Sequence, residues 1–530
     1  MGTRVISKLP GGKKFVNRVF INLITNSAKA RPYPFSLWSP ETVKTKDRGY
    51  EVESAGYTSW PSLVDRKFTG RHLPPDPAFT ARLEGKPDDV VKLFMRRPGK
   101  FTPCPKSSVL FTFFAQWFTD SFLRTDPIDR RKNTSNHEID LCQIYGLEET
   151  TTDILRLRSN ENGKKGRLKS RIGNDGNEYG AFLFNEDGSN KDEFENIPYI
   201  KNGILDDILE SRGISLERKI RLYASGLERG NTTIGYAAIS AVFRREHNRL
   251  CREFEKAYPT WGDDRVFQTA RNVNITMLLK IIIEDYINHL SPRDFKLFVE
   301  VGVAEKQKWY RTNRIAIEFD ILYRWHGLVP DTVRLMGKDL PPPQFMYNNA
   351  LVEEHGVEEI IKAASRQKAG KICLNNTPGF LKEAELALIT YSRQFNLQPY
   401  NKYRERFGKT PFQSFEELTG DGALADELAG IYKDVNDVEF MVGLLAEKRS
   451  KKETLGDLMF TMVGVDAFSH ALTNPLLSGN VFGEDTFSDI GLEEIENTST
   501  FQDIVKRNCG TFDPNQVVAS FTRVAPPDST

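Results

Sequence analysis

An excess of charge of either sign is what this chain most plainly lacks. Its 73 lysines and arginines face 72 aspartates and glutamates, a net charge of +1 with histidine neutral. Such a balance gives no reason to expect nucleic acid as a partner. Cysteine is scarce as well: Cys104, Cys142, Cys251, Cys373 and Cys509 are odd in number and no two are close. Neither a disulfide framework nor a zinc site is suggested, and a reducing, cytoplasmic setting fits best. No apolar run reaches the roughly 20 residues that a membrane-spanning helix needs. Gly-rich phosphate loops at a strand–helix junction and internal repeats are missing too. What is there is a globular composition, 39% apolar and 27% charged over 530 residues. That length holds several domains or one large helical enzyme with a big core.

The N-terminal stretch Phe15–Ile24 is broken by Asn17, Arg18 and Asn22 and does not read as a signal peptide. Phe15, Val16, Val19, Phe20, Leu23 and Ile24 recur at helical spacing, with Lys13 and Lys14 beside them. The pattern fits a helix packed on the core, and it also fits a short helix lying on a membrane surface. Arg31-Pro-Tyr-Pro34 and Ser39-Pro40 mark an extended loop. Residues 1–60 therefore read as an N-terminal helix and loop, and residues 61–530 as the catalytic domain.

Beyond that loop the pattern is helical. From Ser107, Val109, Leu110, Phe111, Phe113, Phe114, Trp117 and Phe118 leave too few polar residues for an exposed face, so this helix is expected to be buried. A polar region follows, with a hairpin expected between Leu155–Arg158 and Arg167–Ser170 around Gly163. One long helix is predicted from Thr232 to Ala257, ending before Pro259. Another runs from Gly262-Asp263 to Ser291-Pro292. A third carries Ile315 to His326 and stops at Gly327. Further helices are predicted near 352–368, 379–394 and 423–434, and the last thirty residues read as irregular. The fold class is mainly α with little β.

One of these helices carries chemistry. In Ile321-Leu-Tyr-Arg-Trp-His-Gly-Leu-Val-Pro-Asp331, an oxidisable phenol, Tyr323, precedes an imidazole, His326, by three residues. On one helical turn, positions i and i+3 share a face, so a haem iron held by His326 would lie close to Tyr323. Such a spacing has low specificity by itself.

Its surroundings raise that specificity. Phe113-Phe-Ala-Gln-Trp-Phe-Thr-Asp120, Ile139-Asp-Leu-Cys-Gln-Ile-Tyr-Gly146, Arg245-Glu-His-Asn-Arg-Leu-Cys251 and Pro259-Thr-Trp-Gly-Asp263 come first. Asn313-Arg-Ile-Ala316, Tyr323-Arg-Trp-His326, Pro399-Tyr-Asn-Lys-Tyr-Arg404 and Glu439-Phe440 with Gly443-Leu-Leu445 follow. The ordered set resembles the animal-type haem peroxidases, and within them the cyclooxygenase and fatty-acid dioxygenase branch. The paired cysteines of the animal cyclooxygenases are missing.

The resemblance implies a helical haem peroxidase fold, haem b as cofactor, and His326 as the proximal iron ligand. It assigns Tyr323 as the residue whose radical takes a hydrogen atom from a fatty acid. Tyr286 would hydrogen-bond Tyr323. Ile287, Leu290, Ser291 and Trp325 would line an apolar acyl channel. Arg293 would stand at the channel mouth, either pairing with the fatty-acid carboxylate or simply solvated. Ser469 resembles the serine near the channel's upper end.

On the distal side Gln116 is kept, but Asp120 stands where the family has a histidine. Histidine is the better acid–base shuttle at neutral pH, so weak peroxidase turnover is expected. Arg229 falls where mammalian peroxidases keep a distal arginine, and it would pair with Asp120 if the two face each other. Cys142 and Ser121 stand where oxygen ligands for calcium are expected; Asp140 remains, and calcium is not expected. Met441 takes the place of a tyrosine near the proximal histidine, which leaves the partner of His326 open.

The function implied is dioxygenation of a polyunsaturated C18 fatty acid such as linoleate, with O2, to a hydroperoxide. A cyclooxygenase-type endoperoxide synthase and a haem-binding protein with little turnover are the alternatives. Peripheral contact with a membrane is compatible with all three.

Overall fold

Two antiparallel helices, Ile234–Ala257 and Asp263–Ile281, form the centre of the molecule and are buried over most of their length, with exposed residues where the two join around Pro259. The computed structural model describes residues 11–26, 60–127, 129–291, 296–307, 310, 313–450, 453–510, 516 and 518–525. The first of the two helices starts where Thr233 accepts a hydrogen bond from Tyr236 N at 3.1 Å. It stops at Tyr258 because Pro259 disfavours the helical region for the residue before it. Around the pair pack the helices Val109–Thr119, Val357–Arg366, Glu484–Glu496 and Phe501–Asn508. About 52% of the described residues are helical, and the strands among them form three two-stranded antiparallel pairs, so the fold is mainly α.

The Val109–Thr119 helix, capped by Ser108, buries all its large apolar residues. Its partly open positions are Thr112, Gln116 and Thr119, which share one face at i, i+4 and i+7. The Asp263–Ile281 helix runs on into a π-helical turn, Ile282–Ile287, before closing at Asn288–Leu290. Such turns are rare and cluster at functional sites. Here Asn288 supports it, donating Nδ2 to the Glu284 carbonyl at 2.9 Å and the Leu297 carbonyl at 2.7 Å.

The segment of Tyr323 and His326 departs from the expected helix. The helix covers only Ile317–Leu322; Tyr323 is its C-cap, and His326–Leu328 form a separate 3₁₀ turn. Tyr323 and His326 therefore do not share one α-helical turn. The reason lies in tertiary contact. A Cβ on Gly370 would sit 1.9 Å from the Gly327 carbonyl oxygen, and one on Gly327 would sit 2.7 Å from that of Lys371. Only glycine allows this approach. Asn376 Nδ2 fastens it, donating to the carbonyls of Gly327 (3.1 Å), Lys371 (2.8 Å) and Thr102 (3.0 Å).

Smaller differences follow. The expected hairpin around Gly163 is reduced to a bridge between Arg156 and Leu168, and the regular hairpin is Ser170–Ile172 with Glu178–Gly180. Gly356 splits the 352–368 region into Asn349–His355 and Val357–Arg366. Phe501–Asn508 is a helix with a Thr500–Asp503 capping box, so the last thirty residues are not irregular throughout.

The N-terminal helix, Gly12–Asn26, packs on Asp457–Leu472. It buries Val16 and Ile21 and leaves Phe15, Val19 and Leu23 exposed. The proline-marked loop at 31–40 lies outside the described residues. No helix among the described residues is long and apolar enough to cross a membrane.

Candidate active site

His326 stands on the wall of a cavity of about 690 Å³. That volume is in the range of cofactor pockets, roughly 300–1,000 Å³. Ile317, Asp320 and Ile321 come to it from the helix that ends at Leu322, and Arg324 from just beyond that end. Ala384, Ala387, Leu388 and Tyr391 come from the helix Lys382–Gln394, the two alanines leaving room beside the imidazole. Arg124, Glu228 and Arg229 complete the wall. Nδ1 of His326 is inaccessible and lies 3.1 Å from Glu385 Oε1, while the side chain as a whole keeps 22% exposure. The open part of the imidazole is thus its other edge, toward the cavity.

The cavity is strongly charged. Arg124 holds both oxygens of Glu228 at 2.9 Å, and Arg324 donates to Asp320 at 2.8 Å. Arg130 has no carboxylate partner among the described residues. It donates to Gln394 at 2.8 Å and lies 3.9 Å over the Tyr391 ring.

Asp120 and Arg229 meet: Arg229 Nη1 donates to Asp120 Oδ1 at 3.1 Å. Asp120 is buried, and its Oδ2 has no partner among the described residues. Burial raises its carboxyl above the usual carboxylate range, against the pull of Arg229 and Arg124 in the other direction. Arg229 leaves half of its side-chain surface open, and that surface faces the cavity. Gln116 is half-buried one helical turn before Asp120.

Tyr323 lies on the other side of the segment, in an aromatic cluster. Its ring stacks on Trp325 at 4.2 Å and meets Phe319 edge-on at 5.2 Å. Tyr286, raised on the π-turn, stacks on Phe111 at 5.1 Å and packs against Phe114 and Phe118. The two phenols interact with each other, within reach of the expected Tyr286–Tyr323 hydrogen bond but outside its ideal alignment. Burial raises the pKa of both, so both stay neutral.

Of the expected channel residues, Ile287, Leu290 and Trp325 are buried in this cluster and Ser291 is half-buried at its edge. Ser469 does not offer its hydroxyl to a channel: Oγ donates to the Val465 carbonyl of its own helix at 2.6 Å. Arg293 lies outside the described residues. Asp140 spends its oxygens on Cys142 N (3.0 Å) and Asn136 Nδ2 (2.7 Å).

Sequence reasoning missed Glu385, Arg124, Arg130 and His289. Glu385 opens an amphipathic helix, where acidic residues are ordinary. His289 joins Ser107 Oγ at 2.9 Å and Thr522 Oγ1 at 3.2 Å, beside Phe111. Its neighbours come from distant parts of the chain and left no local signal.

A helical body with an imidazole on the wall of a cofactor-sized, arginine-lined cavity has the layout of a haem protein. Residues 113–519 match the animal haem peroxidase model, and the chain belongs to that family. It is 34% identical over 466 residues to prostaglandin G/H synthase 2 of Equus caballus, covering 86% of this chain and 72% of the relative. It is 32% identical over 469 residues to prostaglandin G/H synthase 1 of Mus musculus, covering 86% and 73%. Among solved structures, the fatty acid alpha-dioxygenase of Oryza sativa shares the fold with a TM-score of 0.68 at 18% identity, over 95% of both chains. Peroxidase A of Dictyostelium discoideum does so with a TM-score of 0.66 at 19% identity, over 86% of this chain and 95% of that one.

Family membership implies a haem, and the residues present fit one. The imidazole has its open edge in the cavity, the two alanines leave space beside it, and Arg130 can take a carboxylate.

Proposed function

We propose that this chain is a haem-dependent fatty-acid dioxygenase that works through a radical on Tyr323, with His326 as the iron ligand. The reading is carried by one observation. A neutral phenol sits in a buried aromatic cluster, three residues from an imidazole whose open edge faces a separate, charged cavity. When bound, haem supplies the one-electron oxidising equivalent, drawn from a hydroperoxide, that turns the Tyr323 phenol into a phenoxyl radical.

The residues then do the following. Tyr323 Oη takes a hydrogen atom from a bis-allylic carbon, becoming a phenol again and leaving a pentadienyl radical. O2 adds to that radical. The peroxyl product takes the hydrogen back from Tyr323 Oη, giving a hydroperoxide and restoring the phenoxyl. Tyr286, kept neutral by burial, can donate its hydrogen bond to Tyr323 Oη while the latter lacks its hydrogen. Ile287, Leu290 and Trp325 supply apolar surface for the acyl chain, with Ser291 at its edge, and Arg293 is assigned to its carboxylate.

On the distal side, Gln116 and Arg229 offer polar groups to a peroxide, but Asp120 is tied to Arg229. Self-sustained peroxidase turnover is therefore weak. The substrate is a polyunsaturated C18 acid such as linoleate. The exposed stripe Phe15, Val19 and Leu23 beside the exposed Lys13 and Lys14 supports peripheral contact with anionic lipid.

The prostaglandin G/H synthase relatives favour a second reading, an endoperoxide product. Oxygen consumed per arachidonate by the haem-loaded chain, with and without added hydroperoxide, decides, because an endoperoxide needs double bonds beyond the oxidised pentadiene and linoleate has none. One O2 per substrate, after a lag that hydroperoxide removes, supports the dioxygenase. Two support the endoperoxide. No uptake under either condition overturns both and leaves a haem-binding protein.

A further inference from the structure

Glu385 is almost fully buried, with its side chain 1% exposed, and its Oε2 has no partner among the described residues. A buried carboxylate needs donors or a cation. One donor is Thr377, whose Oγ1 reaches Glu385 Oε1 at 2.7 Å. The main chain of Thr377 is held in place: its carbonyl accepts from Arg96 N at 2.7 Å and its N–H donates to Phe94 O at 2.9 Å. The other polar neighbour is His326, whose Nδ1 lies 3.1 Å from the same Oε1. That distance is short enough for a hydrogen bond, but the alignment is poor, so Nδ1 remains unpartnered. Two unpartnered atoms, His326 Nδ1 and Glu385 Oε2, thus belong to side chains already in contact. A small rotation of ring or carboxylate completes the bond. Met441, at the position where the resemblance places a tyrosine, is buried and has only a weak thioether acceptor to offer.

We propose that Glu385 is the positioning residue of the proximal imidazole. Its carboxylate accepts the Nδ1 proton of His326, fixes the tautomer that leaves Nε2 as ligand, and gives the ring anionic character. This deepens the proposed function and rests on its assignment of His326 as the iron ligand. A more basic imidazole stabilises ferric over ferrous iron and shortens the iron–imidazole bond. Thr377 serves as the clamp that aims Glu385.

The test uses the haem-loaded full chain and reads the ligand bond, with activity left aside. Glu385→Gln keeps the shape and removes the charge. The ferric/ferrous equilibrium is expected to shift at least tenfold toward ferrous iron, about 59 mV for a one-electron couple. The iron–imidazole stretching band of the ferrous protein should fall in frequency, and Glu385→Asp should recover part of both changes. Thr377→Val, which keeps Glu385 and loses only its clamp, should move both readouts the same way by less. It is the measurement to use if Glu385→Gln does not fold. An unchanged potential and band in Glu385→Gln, or in Thr377→Val where that is the variant read, overturn the proposal. His326→Ala separates the two levels: an axial-ligand spectrum that survives it overturns the ligand assignment itself.

Discussion

The segment from Ile321 to Leu328 divides two environments that have little in common. On the cavity side stand Arg124, Arg130, Arg229 and Arg324, three of them paired with carboxylates. On the other side Tyr323 and Tyr286 lie among Phe111, Phe114, Phe118, Phe319 and Trp325. Apart from each other, the Oη atoms of both tyrosines have no hydrogen-bond partner among the described residues, and neither has the Nε1 of Trp325. A haem carries carboxylates and needs the first environment. A phenoxyl radical lasts only where few groups can react with it and needs the second. The chain passes from one to the other within three residues because the helix stops at Leu322 and the next turn is pinned by Gly327, Gly370 and Asn376.

The sharpest way to break this contrast is at Tyr323. Tyr323→Phe keeps the ring stack on Trp325 and removes only the O–H. Oxygen uptake with linoleate should vanish while the haem spectrum stays unchanged. Uptake at the wild-type rate would remove the radical role from the aromatic side.

The next effect is on stability. His289 in the aromatic side and the buried His137 and His247 elsewhere all have pKa values lowered from 6.5 to about 3, mainly by burial. Folded, they stay neutral; unfolded, they bind a proton below about pH 6.5. Their contribution is therefore complete above 6.5 and is lost progressively as pH falls toward 3, at about 2 kcal/mol for each at pH 5. Denaturant melts at pH 7 and pH 5 should show a marked loss, and His289→Gln should lessen it. A melt insensitive to pH in this window contradicts neutral burial.

Much of this was legible in sequence. The 3.6-residue pattern places the central helix within two residues of its start, since Thr233 is a good cap and Pro259 a hard stop. The expectation that Asp120 and Arg229 would pair needed only the ordered motifs. The break at Tyr323 was hidden, because Ile317 to His326 is a sound helical pattern and the interruption comes from a backbone contact with the Lys368–Gly370 strand. The π-turn under Tyr286 was hidden for a related reason: its residues fit an α-helix equally well. Glu385 looked like a first-turn acid, and only packing reveals that it faces His326 instead of solvent.

A smaller effect is expected on the distal wall. Asp120→His removes a carboxylate committed to Arg229 and supplies a base that titrates near neutrality. General acid–base assistance is worth about 10²–10⁴-fold when fully aligned. A gain of roughly tenfold in peroxidase turnover with a guaiacol-type donor is the expectation for an imidazole placed in an unadapted wall. Wild-type turnover already as fast as in prostaglandin G/H synthases would show that Asp120 does not limit the chemistry.

The mildest change probes the charged side itself. Removing Arg124, Arg229 or Arg324 would strand a carboxylate, so the loss would mix haem binding with a buried unpaired acid. Arg130 has no such partner, and its removal costs only a bond to Gln394 and contact with Tyr391. If the cavity arginines receive haem carboxylates, Arg130→Ala should weaken haem binding by about 1 kcal/mol, roughly fivefold, because the site is partly open and screened. Titration of the apo-protein with haem measures it, and Arg130→Lys should recover part of the loss, since a point charge replaces the fork. An unchanged affinity, with affinity falling in higher salt all the same, would move the carboxylate contact from Arg130 to one of the paired arginines.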